Sequence, residues 1–97
     1  MITKELIIEK LKQVVDPEIR LDIWTLGLIY DIQIKPKGVV YIKMTFTTPF
    51  CPYGEMLLDQ IRDNLATMEG ITDVDIEVTF EPVWQPSEEV KMMLGIS

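Results

Sequence analysis

The chain has no histidine and one cysteine in 97 residues. The missing histidine removes the commonest general base and the commonest metal ligand together. It also excludes a papain-like cysteine–histidine pair. A lone cysteine excludes an internal disulfide, a CxxC redox centre and a self-contained zinc site. No glycine-rich phosphate loop is present. A KH-like RNA-binding module shares the order of elements read below, but it needs a basic GxxG loop that this chain lacks. No run approaches the ~18–20 apolar residues that span a bilayer. MITKELIIEK has no basic region, apolar region and cleavage site in the order of a secretory signal. A cytoplasmic location is therefore expected.

Basic charge is also scarce, and unevenly so. Residues 1–52 carry seven basic and six acidic side chains, and residues 53–97 carry two and ten, for a net charge of −7. Such a surface repels phosphate backbones and anionic lipid, so neither nucleic acid nor membrane is an expected partner. What remains is 47% hydrophobic and 26% charged. That composition suits one globular domain over residues 1–97 with a modest core.

The apolar spacing gives the elements. Thr3 reads as a helix N-cap with Ile2 and Ile7 as a hydrophobic staple. Ile7, Leu11, Val14 and Val15 lie on one helical face, and Asp16-Pro17 is expected to stop that helix. Residues 16–28 are irregular but apolar. Tyr30, Ile32 and Ile34 alternate with polar residues, as do Val40, Ile42, Met44 and Phe46, and Pro36-Lys37-Gly38 between them reads as a hairpin turn. Leu57, Leu58, Ile61, Leu65 and Met68 fit a second helix, with Pro52 expected at its first position and Gly70 after its end. Val74, Ile76, Val78 and Phe80 form a third strand opposite an acidic row. Ser87 should cap a short last helix through Leu94. The expected fold is α+β, a two-layer domain of order α-β-β-α-β-α, with helices on one face of a three-stranded sheet. Side-chain patterns allow the third strand beside either of the other two.

Cys51 is the first candidate for chemistry. A lone cysteine is most often a small buried hydrophobe. Here it is expected at or beside a helix N-terminus, where unpaired N–H groups and the helix dipole favour the thiolate. Spacing alone leaves both readings open. Asp16 and Glu18 flank Pro17 and read either as solvated carboxylates at a helix stop or, held against the cysteine loop, as a rigid pair of oxygen ligands or a base and its orienter. Thr45, Thr47 and Thr48 are either outward strand residues or hydroxyl donors to the pocket before the second helix. Trp24 and Trp84 read as core closure or partner contact.

Five segments in order, Val15-Asp16-Pro17-Glu18-Ile19, Leu26-Gly27-Leu28-Ile29-Tyr30-Asp31, Met44-Thr45 through Thr48-Pro49-Phe50-Cys51-Pro52, Pro82-Val83-Trp84 and Leu94-Gly95-Ile96, resemble the SufT/PaaD-like family of metal-sulfur cluster biosynthesis proteins. The resemblance covers nearly the whole chain. It implies the small α+β iron-sulfur assembly domain, related to the C-terminal domain of NifU-like scaffolds. It also implies an assembly or targeting factor in iron-sulfur protein maturation, and not a metabolic enzyme. Cys51 would be the family's reactive cysteine and the ligand for iron or a transient iron-sulfur cluster. Asp16 and Glu18 would be its acids, and Thr45, Thr47 and Thr48 its threonines. The implied partners are client apoproteins and a cluster scaffold or P-loop carrier ATPase. Pro49-Phe50 departs from the smaller residues of many members and implies a stiffer cysteine loop.

One thiolate per chain cannot complete the four-cysteine ligation usual for clusters. A homodimer is therefore expected, with Asp16, Glu18, a small thiol or a partner completing the site. Two other readings stay open: a sulfur-relay or catalytic thiol, and a pure adaptor in which Cys51 is incidental.

Overall fold

The structure, a computed structural model, describes residues 2–47 and 52–95. Thr48, Pro49, Phe50 and Cys51 lie outside those described residues. Helix α1 runs from Lys4 to Leu11. Thr3 caps it, its hydroxyl accepting the Leu6 N–H at 3.2 Å. The helix ends five residues before the expected stop at Asp16-Pro17. Gln13 N–H turns back to the Lys10 carbonyl and Val14 N–H to the Leu11 carbonyl, both at 3.1 Å, which tightens the last turn. Val15 then pairs with Asp22 in an isolated antiparallel bridge. β-Branched Val14 and Val15 suit that extended backbone better than a continued helix.

Strands β1 (Ile29–Lys35) and β2 (Val39–Met44) form an antiparallel hairpin closed by a 3₁₀ turn over Pro36–Gly38. The turn needs glycine. Gly38 has φ +79°, and a Cβ there would run into the Gly70 carbonyl. Strand β3 (Asp73–Val78) joins β2 in parallel, so the sheet order is β1-β2-β3 with β2 central. The expected face of β1 is corrected at its start. Ile29 pairs with Met44 and Asp31 with Lys43, so Tyr30 is the extra residue of a bulge. Ile29, and not Tyr30, shares the inner face with Ile32.

Helix α2 (Gly54–Ala66) links β2 to β3. Both of its ends differ from the sequence reading. Pro52 lies in a turn before the helix, and Tyr53, without a side-chain cap bond, precedes its first residue, Gly54. Gly54 is buried against the Phe46 ring, where a Cβ would come within 3.1 Å of Cε2. Close packing on that ring fixes the first helical turn. At the other end Thr67 donates to the Asn64 carbonyl at 2.7 Å and closes the helix before Met68 and Gly70. Helix α3 (Glu88–Leu94) is capped by Ser87 and ended by left-handed Gly95, as expected.

The helices cover one sheet face. Ile7 and Leu11 of α1, Leu57, Ile61 and Leu65 of α2, and Val90 of α3 are buried with Ile32, Val40, Ile42 and Met44 in one core. Asn64 Nδ2 donates to the Lys10 carbonyl near the end of α1 at 3.4 Å. Ile2, before α1, lies beside Gly70, after α2. The two helices therefore run antiparallel, and the chain leaving α1 heads toward the N-terminal half of α2.

Candidate functional site

The acidic motif forms a compact turn. Asp16 is only 2% exposed. Its Oδ1 accepts the N–H groups of Glu18 at 2.8 Å and Ile19 at 3.1 Å. Its carbonyl accepts Arg20 N–H at 2.7 Å, and its own N–H donates to the Leu21 carbonyl at 3.0 Å. Arg20 takes the left-handed φ of 68° that closes the turn. A short carboxylate bonding backbone two and three residues ahead is what holds such a turn, and Pro17 stiffens it. Glu18, by contrast, is exposed. The structure thus gives the two acids different surroundings.

A second acid, Asp22, was not singled out in the sequence. Its Oδ2 accepts Thr25 N–H at 2.9 Å, and its carbonyl accepts Leu26 N–H at 3.0 Å. The available signal was the same as for Asp16: an aspartate three residues before an unpaired amide in an irregular apolar stretch.

These turns are laced to the segment that leads toward the cysteine. Ile23 N–H donates to the Val14 carbonyl at 3.0 Å, Leu28 N–H to the Ile23 carbonyl at 3.1 Å, and Thr45 N–H to the Leu28 carbonyl at 2.8 Å. Three backbone bonds therefore join the residues beside Asp16 to the end of β2. Thr45 is fully buried, and its hydroxyl donates to the Phe46 carbonyl at 3.3 Å. Thr47 is half-buried in a bend. Phe46 lies under Gly54 and beside Phe80, with ring centroids 6.4 Å apart. The described shoulders of the cysteine loop are thus Thr45–Thr47 on one side and Pro52–Gly54 on the other. Cys51 and Thr48 themselves lie outside the described residues. The helix starts three residues after Cys51, and not directly behind it.

Among the described residues, no three Cys, Asp, Glu or His side chains come together in a way that could hold a metal ion. Among the same residues, no helix is long and apolar enough to cross a membrane.

A family model described as iron-sulfur cluster assembly protein matches residues 4–78. The chain belongs to that family. Among curated relatives, an Fe-S protein maturation auxiliary factor of Porphyromonas gingivalis is 38% identical, over 96% of this chain and 91% of its own. The Fe-S protein maturation auxiliary factor SufT of Staphylococcus aureus is 36% identical, over 87% of this chain and 99% of its own. A solved structure of a conserved hypothetical protein of Thermotoga maritima superposes with a TM-score of 0.86 at 41% identity, covering 98% of this chain and 96% of that one. The SufT-like resemblance and the small α+β fold therefore both hold for this member of the iron-sulfur cluster assembly family.

Proposed function

We propose that the chain is a maturation factor that assists delivery of iron or an iron-sulfur cluster to client apoproteins through Cys51. The observation that carries this reading is the ladder of backbone bonds from the Asp16 turn to Thr45, six residues before Cys51. The names of the maturation-factor relatives support it. In this reading the cluster is cargo. One thiolate cannot hold it alone, and a labile site suits transfer. A second copy of the chain, a carrier ATPase or scaffold, or the client supplies the other ligands. Asp16 holds its turn rigid, and exposed Glu18 offers an oxygen to the cation during transfer. Thr47 and Thr48, four and three residues before Cys51 in the sequence, offer their hydroxyls during that transfer. The chain works in the cytoplasm and turns over no metabolite of its own.

Anaerobic reconstitution with iron and sulfide tests this directly. A visible chromophore in wild type that is lost in Cys51→Ser is expected. Persulfide on Cys51 after incubation with a low-molecular-weight persulfide, whose outer sulfur passes to the thiolate as the donor thiol leaves, with no chromophore on reconstitution, would instead make the chain a sulfur relay, and neither signal would reduce it to an adaptor. Light scattering with and without iron tests the homodimer, which a monomer in both conditions would contradict.

A further inference from the structure

The segment after β3 crosses three parts of the fold in sequence. Thr79 N–H donates to the Met44 carbonyl at the end of β2 at 2.8 Å. Phe80 packs on Phe46. The Tyr30 hydroxyl donates to the Pro82 carbonyl at 2.8 Å. The Trp84 indole N–H donates to the Leu26 carbonyl at 2.7 Å. Thr79, Phe80, Pro82 and Trp84 lie beyond the 4–78 stretch matched by the family model. Phe80, Glu81, Pro82 and Val83 remain exposed, Val83 at 75%. The strap is therefore held before Trp84 by these directed bonds and by the contact of Phe80 with Phe46.

The bonds close a ring. Thr45 is tied to Leu28 on one side, and its neighbour Met44 is tied to Thr79 on the other. Tyr30 and Trp84 fasten those two sides to each other. Trp84 acts one residue before left-handed Gly27 and two before Leu28, whose carbonyl receives Thr45. The carbonyl that Trp84 holds and the carbonyl that Thr45 holds thus lie two residues apart on one turn.

We propose that Tyr30 and Trp84 are positioning residues: through the Pro82 and Leu26 carbonyls they lock the strap and thereby fix the Thr45–Thr47 shoulder of the cysteine loop. The functional consequence rests on Cys51 being the working thiol.

The test is residue-resolved amide hydrogen exchange on the full chain as wild type, Trp84→Phe and Tyr30→Phe, with Cys51 alkylation by iodoacetamide timed in parallel. Tyr30→Phe removes one hydrogen bond and keeps its ring, whereas Trp84→Phe removes one hydrogen bond and part of the packed indole. Exchange at the Thr45 amide should quicken about three- to tenfold, the size of one lost bond. The Ile42 amide in the middle of β2 should be unchanged, and the alkylation rate should change. Thr45 protection unchanged in both variants overturns the proposal. So does a rise shared equally by Ile42, which would report general loss of stability, or a loosened Thr45 with unchanged alkylation. Client maturation by Cys51→Ser separates the two readings. Full maturation with a loosened Thr45 and altered alkylation upholds the strap and removes the working thiol. An inactive Cys51→Ser with an unmoved Thr45 removes the strap alone.

Discussion

Gly54 lies against the ring of Phe46 so closely that a Cβ would sit 3.1 Å from Cε2 and 3.2 Å from Cζ. That approach joins the end of β2 to the first turn of α2 on the two sides of the cysteine loop. Alanine at 54 brings two opposed effects. Helix propensity favours it by at most ~1 kcal/mol, and less at a first helical position. Overpacking against a ring already held by Phe80 costs about 1–3 kcal/mol. Gly54→Ala is therefore expected to destabilise. A net loss near 1 kcal/mol would lower the melting temperature by roughly 4–8 °C in a domain of this size. An unchanged or raised melting temperature in calorimetry would show that Phe46 yields freely.

Asp16 is expected to matter to stability through one oxygen. Its Oδ1 satisfies two backbone N–H groups, those of Glu18 and Ile19, in the turn over residues 16–20. Asp16→Ala leaves both without that acceptor and should cost about 1–3 kcal/mol. Asp16→Asn keeps an acceptor oxygen and should cost distinctly less. Urea unfolding of the pair distinguishes these. Equal losses would mean that the negative charge, and not the hydrogen bonding, holds the turn.

Tyr41 links stability to alkaline pH. It stands on the open sheet face, between Gln33 and Asp75 in the strand register. Partial desolvation there pushes its hydroxyl above the ordinary tyrosine value, followed by the charge and hydrogen bond of Glu77 and the charges of Asp31 and Asp75. The ordinary value is about 10. A raised folded-state pKa means that the unfolded chain loses its proton first. The associated stability is complete below about pH 10 and drains as pH climbs through the folded value. Tyr41→Phe should flatten the fall in melting temperature between about pH 9 and 11. An identical fall in both proteins would assign the alkaline loss to other groups.

Much of this fold was legible because its signals are local. Alternation in Val40, Ile42 and Met44, the caps at Thr3 and Ser87, and the turn at Pro36–Gly38 each depend on a few adjacent residues. The misread features depend on partners far along the chain. Val14 and Val15 fit a helical face, but pairing of Val15 with Asp22 draws them into extended backbone. Pro52 fits a first helical position, but the Phe46 ring sets the start at Gly54. Tyr30 fits the strand alternation, but its bulge turns it out of the inner register, and its hydroxyl reaches Pro82. At the site, residue identities put Asp16 and Glu18 forward together without telling their roles apart. Their separation into a buried turn-holder and an exposed carboxylate needed the backbone path.

That separation yields the last expectation. Glu18 is exposed and holds no side-chain hydrogen bond or ion pair among the described residues, whereas Asp16 is buried and doubly bonded. A surface change of this kind should alter folding stability by no more than about 0.5 kcal/mol. Glu18→Gln removes the charge with almost no change in shape. If Glu18 supplies an oxygen to the metal during transfer, the variant should keep its melting temperature and its thiol alkylation rate, yet mature clients more slowly. Asp16→Ala should lose function and stability together, because its part is to hold the turn. Comparing client maturation per folded protein across Glu18→Gln, Asp16→Asn and Cys51→Ser separates these roles. Full maturation by Glu18→Gln would remove the exposed acid from the mechanism and leave Cys51 to complete its ligand set from a partner.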